Sequence, residues 1–124
     1  MLLLVSVVSA QTNPIPQPLP YWEDFANLPW NSTTYPDGFG GWMLGYPVTG
    51  QFYTSPATLD RNLYANRNAS TTAAGVANYN GKIGFLNSNI NDLSLVFAVN
   101  TQGFQNITLS YDFMTIRNPY DGTS

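Results

Sequence analysis

The chain has no cysteine and no histidine, and only four basic side chains against seven acidic ones. Each shortage closes off a class of chemistry. Without thiols there are no disulfide staples and no thiolate metal sites. Without imidazole there is no histidine general base and no Ser/His or Cys/His nucleophile pair. A net charge of −3 offers nothing to neutralise a phosphate backbone. Arg61, Arg67, Lys82 and Arg117 are too scattered in sequence to form a basic stripe, so nucleic acid is not an expected partner. Charged residues are 9% of the total, against roughly a quarter in ordinary domains, so solubility rests on Asn, Thr, Ser and Gly. No run is apolar for the roughly 20 residues that a bilayer crossing takes. There is also no sustained apolar repeat at about 3.6 residues, and the ten glycines and nine prolines leave few stretches able to hold three helical turns. These absences point to an all-β chain.

What is present fits one domain at most: 124 residues, 44% hydrophobic, with aromatics at 15%. Leu2 to Val8 form a short apolar run ending in Val8-Ser9-Ala10, with small residues at the two positions a signal peptidase reads. Residues 1–10 are therefore expected to be a signal peptide, lacking a positive n-region and so incomplete, with mature protein starting at Gln11. Residues 11–20, in which proline recurs at every second position from Pro14 to Pro20, favour extended polyproline-like backbone and read as a linker. Residues 21–124 are the domain.

Within it, Tyr21 to Phe25, Trp42 to Tyr46 and Gln51 to Thr54 read as short strands, and Pro36-Asp37-Gly38 as a tight reversal before Trp42. Asn80-Gly81 accepts positive φ at both positions and predicts a two-residue hairpin joining Val76–Tyr79 to Lys82–Leu86. The clearest alternation lies downstream. Leu93, Leu95, Phe97 and Val99 occupy one face. After a turn at Asn100-Thr101-Gln102-Gly103, Ile107, Leu109, Tyr111 and Phe113 repeat the pattern, with Asn106, Thr108, Ser110 and Asp112 on the other face. Two such strands need a second layer over their apolar side, so the expected fold is an antiparallel β-sandwich. The turn composition from Asn118 to Ser124 normally leads into another strand, so the sandwich is expected to be incomplete.

Ile83-Gly84-Phe85-Leu86-Asn87-Ser88, the strand ending Ala98-Val99-Asn100-Thr101, Asn106-Ile107-Thr108-Leu109-Ser110-Tyr111-Asp112 and Met114-Thr115-Ile116-Arg117-Asn118-Pro119-Tyr120-Asp121-Gly122 together resemble a known family. It is the jelly-roll, concanavalin A-like domain of bacterial secreted and surface proteins, of the choice-of-anchor type. The resemblance spans about Tyr21 to Ser124 and is strongest over the last third. It implies a non-catalytic module of a larger polypeptide, adhesive or carbohydrate-binding, with further strands after Ser124.

Catalysis is not expected. Glycoside hydrolysis needs two carboxyl groups about 5 to 9 Å apart, yet adjacent Glu23 and Asp24 point to opposite faces of an expected strand, and no strand carries acids at i and i+2. For a metal, calcium suits the oxygen-rich composition. Glu23, Asp24 and Asp92 are the candidate carboxylates, with Asn87, Asn89 and Asn91 adding oxygens in a short loop that lacks EF-hand spacing; a plain solvated loop is the competing reading. For glycans, Trp22, Trp30, Trp42 and Tyr120 could stack on a sugar ring. Trp42 starts a strand and is assigned to the core, which leaves Trp30 in its loop as the exposed platform. Asp112 and Arg117 could pair beside a ligand or merely brace the sheet. Asn31-Ser32-Thr33, Asn68-Ala69-Ser70 and Asn106-Ile107-Thr108 match the glycosylation sequon, a pattern that recurs by chance in Asn-rich chains. The expected function is that of an exported, non-enzymatic attachment module at the cell surface or outside it. Two rivals are an accessory domain of a secreted hydrolase and a structural spacer.

Overall fold

The computed structural model describes residues 12–45, 59–87 and 91–115, and among these every regular element is a strand. In chain order they are β1 (Phe39–Gly45), β2 (Leu59–Arg61), β3 (Leu63–Tyr64), β4 (Gly75–Asn78), β5 (Ile83–Leu86) and β6 (Asn91–Phe97). The described residues are all-β, as the lack of helical periodicity predicts. No helix among the described residues is long and apolar enough to cross a membrane.

The strands form two three-stranded sheets. In the first, ordered β2-β1-β6, β1 pairs antiparallel with both neighbours, setting Met43 against Leu93 and Gly41 against Leu95 on one side and Trp42 against Ser94 on the other. In the second, ordered β3-β4-β5, β3 runs parallel to β4, and β4 and β5 make the antiparallel hairpin. Its turn has φ 55° at Asn80 and φ 78° at Gly81, and the Tyr79 N–H donates to the Lys82 carbonyl at 2.8 Å. Positive φ at both central residues is what a type I′ turn demands, and Asn-Gly meets it with little strain.

One small core joins the sheets. Met43 and Leu93 from the first meet Leu63 and Val76 from the second, with Leu28, Tyr35 and Ile83 packed at the margin. Beside it an aromatic group closes one end of the first sheet: Phe39 stacks on Phe97 at 4.6 Å between ring centroids, Tyr21 lies 4.7 Å from Phe97, and Phe25 meets Phe39 edge-on at 5.3 Å. The single fully buried polar side chain among the described residues, Asn78, is satisfied. Its amide donates to the Pro29 carbonyl at 2.7 Å and its oxygen accepts from the Gly81 N–H at 3.1 Å, so one residue ties the loop at Pro29 to the hairpin turn.

Several expectations are corrected. Tyr21 to Phe25 is not a strand. The Glu23 carboxylate accepts from the Phe25 N–H, the Asp24 carboxylate accepts from the Ala26 N–H, and Phe25 sits at φ 60°, so side-chain competition for the backbone turns the chain there. The turn after β6 forms, with Phe104 N–H to the Thr101 carbonyl and Gly103 at φ 82°. Residues 107–113, however, make no ladder and are exposed throughout. Asp92, expected in a loop, is half-buried in β6 opposite Leu44. The Gln51–Thr54 expectation lies outside the described residues.

Candidate functional site

The Pro36-Asp37-Gly38 turn delivers the chain into β1, with the Phe39 N–H bonded to the Pro36 carbonyl at 3.0 Å and Gly38 at φ 82°. Two glycines follow, and close packing on both faces of β1 explains them. A side chain at Gly41 would strike the Tyr35 hydroxyl and the Arg61 carbonyl, which are themselves hydrogen-bonded at 2.9 Å. On the opposite face, a Cβ at Gly40 would press on Pro14 at 3.0 Å.

Pro14 belongs to a strap, Thr12 to Gln17, laid over the outer face of the first sheet. At one end the Thr12 N–H and hydroxyl both donate to the Asp60 carboxylate at 2.7 Å, and the Trp42 indole N–H donates to the Thr12 carbonyl at 3.1 Å. At the other end Gln17 bridges to the residues just after β6, its N–H bonded to the Ala98 carbonyl and its own carbonyl accepting from Asn100. The strap leaves two open clefts. One, of about 240 Å³, is bordered by Thr12, Tyr35, Trp42, Asp60, Arg61 and Asn62 over the Gly40-Gly41 floor. The other, about 310 Å³, lies between Ile15, Gln17, Pro36 and Asp37. Pro14, Tyr35 and Phe39 border both.

The first cleft brings an indole, a phenol, one carboxylate and a side-chain amide together around a floor with no side chains. Burial pushes the Tyr35 phenol well above its ordinary range, with nearby Arg61 pulling weakly the other way, so it stays a neutral hydrogen-bonding group at any physiological pH. Arg61 has its Cζ 5.3 Å from the centre of the Tyr64 ring. Arg67 reaches the same ring at 4.9 Å, so two cations six residues apart converge on the aromatic between them. The Arg61 Nε is buried without a hydrogen-bond partner.

The sequence-derived candidates fare unevenly. Trp30 is 59% exposed, and its turn is pinned: its carbonyl accepts from the Asn66 N–H, and the preceding Pro29 carbonyl accepts from Ser32 and Asn78. Trp22 is more exposed still. Trp42 is corrected. It is half-buried on the cleft side of β1, because strand alternation gives the core to its neighbour Met43. Glu23 and Asp24 serve their own turn, Asp92 sits in β6, and among the described residues no three acidic side chains gather as a metal site would require. Asp112 is exposed in the unpaired segment, while Arg117 and Tyr120 lie outside the described residues. Sequence reasoning passed over Thr12, Asp60 and Asn62. The signal for Asp60 was faint, since only the β1–β2 register sets it beside Trp42. Comparisons with protein-family models, curated proteins and solved structures find no match to this chain.

Proposed function

We propose that the chain is part of an exported, non-catalytic attachment module of jelly-roll type that holds a larger polypeptide to glycan, and that a sugar ring seats in the Trp42 cleft. The observation that carries this reading is the cleft's composition. A sugar presents apolar C–H faces and a rim of hydroxyls, and here an indole stands beside the Asp60 carboxylate and the Asn62 amide. Asp60 has free lone pairs beyond the two it gives Thr12. Non-catalytic attachment is favoured because, among the described residues, Asp60 is the one carboxylate bordering that cleft, whereas glycoside hydrolysis takes two. Export rests on the apolar run and small residues before Gln11.

Retention on insoluble polysaccharides and on a glycan array tests the reading. Asn62→Ala removes an exposed amide without touching the core, and Trp42→Ala removes the wall. The first should weaken binding severalfold and the second by about 1 to 3 kcal/mol, or roughly five- to 150-fold. Binding lost through Trp30→Ala, with both cleft variants unchanged, would move the seat to the Trp30 turn. No retention on any glycan would overturn the reading in favour of a spacer.

A further inference from the structure

We propose that residues 107–113 of one copy add as an antiparallel strand to the β5 edge of a second copy, giving a reciprocal dimer. The segment has all it needs to be a strand except a neighbour. Ile107, Leu109, Tyr111 and Phe113 alternate with Thr108, Ser110 and Asp112, and their exposures are 46%, 73%, 75% and 87%. Tyr111 and Phe113 already lie 6.4 Å apart by ring centroids, as residues two apart on one strand face do.

The receiving edge is defined by the hairpin. Because the Tyr79 N–H bonds to the Lys82 carbonyl, residues 82, 84 and 86 turn their backbone groups towards β4. Ile83, Phe85 and Asn87 therefore turn theirs outward. The second sheet ends at β5, and Phe85, paired with fully buried Val76, is itself 46% exposed. That edge has both open backbone groups and uncovered apolar surface at the margin of the core.

One register satisfies every constraint. Placing Leu109 opposite Phe85 and Tyr111 opposite Ile83 puts the apolar residues of the segment on the core side, where a shift of one residue would put them on the wrong face. The same register sets Asp112 opposite Lys82, an acid against a base, in a pair whose side chains approach closely because its backbone groups point away from each other. The alternative edge at β6 carries Asp92, of the same sign as Asp112. A second copy is the fitting occupant because each chain supplies one unpaired strand and one open edge, so a two-fold arrangement satisfies both at once.

The absence of cysteine makes the test clean. Lys82 and Asp112 are both exposed, so Lys82→Cys and Asp112→Cys should fold normally. Mixed under mild oxidation, the two variants should give a covalent heterodimer far faster than either gives a homodimer. By analytical ultracentrifugation the unmodified chain should reach twice its monomer mass as concentration rises. Asp112→Lys should weaken that association about three- to tenfold, and adding Lys82→Asp should restore it. Monomer at every concentration with no preferential cross-link would overturn the proposal. So would a chain carrying both cysteines that closes on itself at high dilution, since the segment then docks on its own edge.

Discussion

β6 and residues 107–113 carry the same pattern, an apolar side chain at every second position, and end in opposite circumstances. Leu93 in β6 is 9% exposed and lies in the core, whereas Phe113 is 87% exposed. Strand propensity does not separate them. β6 has β1 beside it to take its backbone groups and the second sheet over its apolar face, while the later segment has neither. Alternation encodes the ability to be a strand, and an edge together with a covering layer decides whether one forms.

The strongest way to break this contrast is to truncate one leucine in each region. Leu93→Ala, at a site 9% exposed in β6, should cost about 2 to 5 kcal/mol in urea unfolding, a large share of the stability of so small a domain. Leu109→Ala should stay within about 0.5 kcal/mol in dilute solution. Equal losses would mean that the later segment is part of the folded body.

A second contrast concerns pH. Tyr35 packs against the core with its phenol pushed above the ordinary value of 10.0, chiefly by burial. Its neutral form is the one favoured by folding, so this contribution is whole below pH 10 and is lost as the pH climbs beyond it, where the unfolded chain ionises first. Melting temperature should therefore fall as the pH rises above about 10, and Tyr35→Phe should flatten that fall. An unchanged alkaline slope in the variant would remove Tyr35 from the account.

The parts of the fold that could be read from sequence were those fixed by local chemistry. Asn80-Gly81 and Pro36-Asp37-Gly38 specify their turns through φ, and β6 declares its faces by alternation. Tyr21 to Phe25 misled because the aromatic content suggested a strand, while the carboxylates of Glu23 and Asp24 captured the backbone two residues on. The cleft was hidden for a different reason. It is assembled from Thr12, Trp42 and Asp60, separated by tens of residues, and only the strand register together with the docking of the strap brings them into contact.

Residue-resolved amide hydrogen exchange at low and high protein concentration tests the central claim most directly, that pairing and cover rather than pattern separate the two regions. The account predicts slow exchange at Met43, Val76 and Ser94 throughout. It also predicts fast exchange from Ile107 to Phe113 at high dilution, with protection appearing there and at Ile83 and Phe85 together as concentration rises. Protection of residues 107–113 equal to that of β6 in dilute solution would contradict it.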